Sequence, residues 1–256
     1  MKKKKCIFGG FALLLGMTLL FMSCSIDNDD DYRGGYHDIV AIVNSGDSCH
    51  FIGSNGCDYT LYPKFNNTNN IKVAAIWFKV LKDETTSSQQ QFRIELLQNP
   101  VKLDATVDTA PTVAKLDSVK NDSILDLKTI YFIDGYLVMG INYSIATNLH
   151  YFTLCYASDK GLVSSGSKSI PDTLKFILRH NANNDAASSY TSEYLYQSTN
   201  KISCYCKGFD IYSIFWNACK QSGKTNIYID IQAKVYDIIS RKCKIIHTGI
   251  NPVYYD

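Results

Sequence analysis

The chain carries 26 lysines and arginines against 24 aspartates and glutamates over 256 residues, a formal charge of +2. So even a balance excludes the basic stripe expected of a nucleic-acid-binding protein, and the length allows one large or two ordinary domains. Eighteen tyrosines, twelve phenylalanines and only five prolines, with many Val, Ile and Thr, favour strands.

The first elements are not part of a fold. Lys2–Lys5 is a basic patch, Ile7–Met22 an apolar run of 16 residues, and Ser23-Cys24 precedes Ser25 and the acids Asp27, Asp29, Asp30 and Asp31. The run is short of the roughly 20 residues that cross a bilayer as a helix, and Gly9, Gly10 and Gly16 weaken it further. This order reads as a lipoprotein signal over 1–23, cut before Cys24, which takes the lipid, followed by an acidic tether over 24–35. Phe21 stands where such signals usually carry Leu. The acids after Cys24 resemble the surface-export tract of Bacteroidetes lipoproteins. Loss of the leader removes four lysines and makes the mature chain slightly acidic. The expected location is the cell envelope, on the outer membrane and facing outward.

From Tyr36 the pattern is one of short strands. Ile39–Val43 stops at Asn44-Ser45-Gly46-Asp47, Cys49–Gly53 and Asp58–Tyr62 follow, and Pro63 ends the latter. Ile71–Leu81 has apolar residues at helical spacing, but its Val, Ile, Trp and Phe content and its neighbours predict a strand. Gln91–Leu97 alternates, with Phe92, Ile94 and Leu96 on one face. Five strands in about 65 residues suit a small OB-like barrel over 36–100. The polar stretch 101–121, with Pro111, reads as a linker.

Strands return over 122–256. Tyr136–Ile145 and Tyr151–Tyr156 flank Ala146-Thr147-Asn148 like a hairpin, Leu174, Phe176 and Leu178 alternate, and Glu193–Lys207 is an aromatic-rich run. Ile227, Ile229, Ile231, Ala233 and Val235 give the clearest period of two, and Lys242–Thr248 closes the set. Ile211, Ile214, Phe215 and Ala218 predict one or two helical turns. The expected architecture is all-β: the barrel, then an antiparallel β-sandwich.

Nine cysteines are present, and after Cys6 and Cys24 an odd seven remain. Cys49 and Cys57 flank the turn Ser54-Asn55-Gly56 and are a candidate disulfide. No CxxC or His-paired spacing supports zinc. Asp27-x-Asp29-x-Asp31 would start a calcium loop, but Tyr32 occupies the position that needs Gly. There is no Gly-x-Ser-x-Gly elbow, and His37, His50, His150, His180 and His247 lie in unrelated segments. No catalytic residue, metal or cofactor is therefore expected. Arg179, His180 and Asp185 form a candidate polar patch, either a ligand site or a means of fixing the loop after the strand. Trp77 and Phe78 would serve as a stacking platform only if their rings face water.

Several segments together resemble the NigD-like lipoproteins of Bacteroidetes. They are the Cys24-acidic start, Tyr36–Val43, Tyr59-Thr60-Leu61-Tyr62-Pro63, Asp117–Tyr131 before Gly135-Tyr136-Leu137, Leu178-Arg179-His180-Asn181-Ala182 with Asp185, and Phe209-Asp210-Ile211. The resemblance implies an OB-like domain followed by a β-sandwich and no established activity. Where that family commonly has an Asp-Asp-Gly turn, this chain has Ser54-Asn55-Gly56-Cys57. Asp108-Thr109-Ala110, Asp117-Ser118-Val119, Asp122-Ser123-Ile124 and Asp172-Thr173-Leu174 resemble the O-glycosylation acceptor of Bacteroidetes envelope proteins, making Thr109, Ser118, Ser123 and Thr173 candidate glycan sites. The function expected is non-enzymatic: a lipoprotein, held to the membrane by its N-terminal lipid, that binds a protein or glycan partner. The alternative is a bacteriocin-associated immunity-type lipoprotein, whose gene would sit beside that of a toxin.

Overall fold

The computed structural model describes residues 35–45, 48–83, 90–110, 112–116, 120–145, 148–167, 170–185, 201–237 and 239–252. The leader, Cys24 and the tether lie outside these. Gly35–Asp256 forms one compact unit.

The first five strands are β1 (Tyr36–Ser45), β2 (Ser48–Gly53), β3 (Asp58–Leu61), β4 (Val73–Asp83) and β5 (Gln91–Leu96). They run in the order β1-β2-β3-β5-β4, and β4 pairs back onto β1 to close a barrel. The β3–β5 pair is parallel and the others antiparallel. The expected OB-like barrel is present, and the segment predicted over Ile71–Leu81 is strand from Val73 on, as the residue types suggested. Val40, Ile42, Phe51, Tyr59, Ile76, Phe78 and Ile94 fill the interior.

Residues 101–110 are not a linker. Val101–Lys102 forms β6 on the β4 edge, and Asp104–Ala110 forms β7 in the second sheet. Polar and threonine-rich, β7 gains its place by pairing parallel to two strands far along the chain. A single turn, α1 (Val113–Leu116), follows.

The remaining elements are β8 (Asp126–Ile133), β9 (Tyr136–Ile145), β10 (Tyr151–Ala157), β11 (Leu162–Val163), β12 (Asp172–Asn181), β13 (Lys201–Asp210), α2 (Tyr212–Ser222), β14 (Ile227–Asp237) and β15 (Lys242–Ile250). The sheet runs β15-β14-β12-β10-β7-β13-β9-β8, with β11 on β12. A parallel bridge from Ile124 to Val235 brings the chain just before β8 onto β14, so this sheet also curls nearly shut. The two β-modules follow the expected order. Pairing in the second is mixed, with β7–β10, β7–β13 and β12–β14 parallel. Nor do β9 and β10 form a hairpin, since β7 and β13 lie between them.

Inside this sheet the alternating residues of β12 and β14 meet Leu137, Met139, Ile141, Leu154 and Phe209. The helix α2 adds Phe215, Ala218 and Cys219, and Gly223 caps it in the left-handed region at φ 65. A further cluster joins the modules: Ala41, Val73 and Leu103 pack with Ile133 and Val138. This explains the unbroken apolar run in β1. Val40 and Ile42 point into the barrel, while Ile39 and Ala41 point out of it, toward the second sheet.

Candidate functional site

Strand alternation decides what the barrel shows to water. On β4, Ile76 and Phe78 turn inward, so Trp77 and Lys79 turn outward. Phe78 is 4% exposed and Trp77 39% exposed. The pair suggested as a platform is thus divided into one core residue and one surface ring. Trp77 lies opposite His37 of β1 in the register, and on its other side Leu97 donates its N–H to the Trp77 carbonyl at 2.8 Å. One step along, Lys79 faces Glu95 and bonds it at 2.9 Å. On the far side of β5, the Arg93 guanidinium stands 4.6 Å over the ring of Tyr62, which is 55% exposed. The outer surface of β3, β5 and β4 therefore shows Tyr62 with Arg93, then Glu95 with Lys79, then Leu97 with Trp77. OB folds present oligomer-binding surfaces of this kind, in which rings stack on flat ligand faces and the charged groups between fix orientation.

A cleft of about 580 Å³ opens on the second module, with Cys155, Ala157 and Ile177 in its lining and Lys160, Lys175, Asp230 and Gln232 contributing polar groups. Burial pushes the Cys155 thiol up to about 11, although Arg179 favours the thiolate, so Cys155 is a neutral thiol at pH 7.

The patch expected from Arg179, His180 and Asp185 is split by the period of β12. His180 is 1% exposed and points inward, while Arg179 takes the opposite face. Inside, His180 Nδ1 lies 3.1 Å from the Ser123 carbonyl and its Nε2 lies 2.9 Å from His150 Nδ1. His150 Nε2 lies 3.0 Å from Asp185 Oδ2, and neither side chain is exposed. Phe152 stacks on His180 at 4.7 Å and 6°. Burial first, then the neighbouring His150, lowers His180 to about 4. His180 thus bonds the Ser123 backbone carbonyl and is linked through His150 to Asp185. The pairing with His150 was not legible, because 30 residues and two strands separate the rings.

The other expected sites fare differently. Cys49 and Cys57 are free and buried. Antiparallel pairing sets Ile52 opposite Asp58 and His50 opposite Thr60, which places the two cysteines near opposite ends of the β2–β3 hairpin, beyond bridging distance. The Cys49 thiol instead donates to the Phe65 carbonyl and the Cys57 thiol to Gln90 Oε1. Ser123, 5% exposed, is closed to a glycan in the folded chain. Thr109 is exposed on β7, Thr173 is half-buried and paired with Val163 and Tyr228, and Ser118 and Cys24 lie outside the described residues.

One arrangement resembles a serine–lysine dyad. Lys224 Nζ donates to Ser165 Oγ at 3.0 Å, but also to Asp172 Oδ1 at 2.6 Å and to the Ser167 and Ile170 carbonyls. An ammonium held by a carboxylate and two carbonyls has no lone pair to offer a nucleophile. Among the described residues, no group of three or more His, Cys, Asp or Glu is placed to hold a metal ion. No helix among them is long and apolar enough to cross a membrane.

No protein-family model matches the sequence, and no curated protein matches it. Solved structures do. A candidate lipoprotein from Bacteroides fragilis is 19% identical, with a TM-score of 0.63 over 87% of this chain and 99% of that one. A protein described as toxin-related, from Parabacteroides distasonis, is 15% identical, with a TM-score of 0.52 over 85% and 93%. A NigD-like immunity protein from Bacteroides caccae is 16% identical, with a TM-score of 0.47 over 86% and 94%. In its fold, this chain is similar to solved structures from Bacteroides and Parabacteroides that include a candidate lipoprotein.

Proposed function

We propose that this chain is a non-enzymatic envelope lipoprotein, tethered to the outer membrane through Cys24, whose barrel binds a protein or glycan partner on the Tyr62–Trp77 face. The carrying observation is the outward Trp77, with Tyr62 two strands away and the Lys79–Glu95 pair between them. Large rings held in water on a β-surface stabilise nothing in the core, whereas in an interface each contributes large contact area for little lost freedom. The leader sequence and the lipoprotein name of the Bacteroides fragilis structure support the envelope location.

The test is binding of the chain to envelope glycans and surface proteins of its host, alongside Trp77→Ala and Tyr62→Ala. Both variants should fold normally and lose about 30-fold in affinity, the effect of a 2 kcal/mol interface residue. Undiminished binding by both variants would move the site elsewhere.

A further inference from the structure

The three contacts joining His180, His150 and Asp185 fix a number of protons. The Ser123 carbonyl only accepts, so His180 Nδ1 must carry a hydrogen. His180 and His150 meet nitrogen to nitrogen at 2.9 Å, which requires one hydrogen between them. His150 meets Asp185 Oδ2 at 3.0 Å, and this contact also requires one. Two neutral imidazoles and a carboxylate supply two hydrogens for these three contacts. The complete chain needs a third proton and is then neutral overall, which is the only inexpensive charge state for groups so fully enclosed. Asp185 Oδ2 also accepts the Asn148 N–H at 3.3 Å, which favours its staying a carboxylate.

Four segments converge at this point. His180 lies next to the last residue of β12, His150 precedes β10, Ser123 belongs to the segment that closes the sheet, and Asp185 lies four residues beyond β12. The same loop is tied to the closing segment by Asp122, whose Oδ2 accepts the Ala182 N–H at 2.8 Å and whose own N–H donates to the His180 carbonyl at 2.7 Å. Lys120 reaches Asp122 at 3.6 Å and Asn184 at 2.9 Å. From β9, the Tyr143 ring lies 4.9 Å from that of His150, and from β15 the Cys243 thiol lies 3.5 Å from Ser123 Oγ. Arg179 is on the opposite face of β12. Among the described residues, no lysine or arginine is buried at this point.

We infer that His150, His180 and Asp185 form a proton-loaded clasp, with His150 a buried imidazolium between neutral His180 and the Asp185 carboxylate, and that it holds residues 182–185 against the closing segment. A fourth proton would set two N–H groups against each other at the His150–His180 contact. Loss of the third would set a lone pair against a lone pair or a carboxylate. The clasp therefore holds within a band of pH and loosens on the acid side when His180 takes up its proton.

The full-length chain labelled with 15N-histidine tests this without any variant. At pH 7 the two enclosed rings should show three ring N–H signals, two of them on His150. One N–H on each ring would overturn the assignment. Amide exchange then tests the clasp. Relative to intrinsic rates, the Ala182 and Asp185 amides should exchange at least tenfold faster at pH 4 than at pH 7. Unchanged protection at the two pH values would overturn the mechanical role.

Discussion

Val73 of the barrel rests directly on the backbone of Gly208 in the second sheet: a β-carbon at residue 208 would lie 2.9 Å from Val73 Cβ and Cγ1. The two modules meet here because Gly208 has no side chain to hold them apart. Gly208→Ala should destabilise the chain by about 1–3 kcal/mol through overpacking. Denaturant unfolding of Gly208→Ala, Val73→Ala and the double variant checks this. The double variant should recover part of the loss, because contacting residues couple, and strict additivity would contradict the contact.

Stability should fall on mild acidification. Folding lowers His180 from 6.5 to about 4. Between those values the unfolded chain takes up a proton that the folded chain refuses. The His180 contribution is therefore complete above about 6.5 and lost as pH falls toward 4. The full shift corresponds to about 3 kcal/mol. Urea unfolding from pH 7 to pH 4 should show this decline, reduced in His180→Gln, and equal slopes in the two proteins would remove His180 as its source.

Thiol reactivity should divide the cysteines by burial. Cys243 is exposed, whereas Cys49, Cys57, Cys155 and Cys219 are buried, and burial raises the thiol pKa of these four. Iodoacetamide at pH 7.5 should label Cys243 in the folded chain and those four only after unfolding, with no reductant needed. A requirement for reductant at Cys49 or Cys57 would restore the disulfide that the hairpin register excludes.

The Lys224 ammonium gathers the chain before β12 by bonding Ser165, Ser167 and Ile170 as well as Asp172. Its hydrogen bond to Asp172, reinforced by the Ser165 N–H, holds that carboxyl below the usual carboxylate range. Lys224→Met should lower the melting temperature by several degrees and expose this segment to proteolysis, with the loss greatest above the carboxylate range, where Asp172 is charged. Wild-type resistance to proteolysis in Lys224→Met would show that the ammonium does not hold this segment.

Much of the architecture is written locally. In β14 every second residue from Ile227 to Val235 is apolar, and those side chains are the buried ones, because a strand's period of two allows only one face to leave water. The helix α2 follows from Phe215 and Ala218 in the same way, and β4 from its β-branched and aromatic content. The Asp134-Gly135 turn between β8 and β9 was also present to be read: both residues have positive φ, 42° and 84°, as a two-residue hairpin of the Asp-Gly type requires. What misled was β7. Asp104–Ala110 has neither an apolar face nor strong alternation, and only its neighbours β10 and β13 make it a strand.

The sequence by itself determined the all-β character and the barrel, since both depend on residue type and a period of two. Only the tertiary structure decided that Trp77 faces water while Phe78 does not, that Cys49 and Cys57 stand apart, and that His180 meets His150 and Asp185. Those outcomes depend on which strands become neighbours. That is settled by burial summed over the whole sheet, and no short stretch of chain contains it.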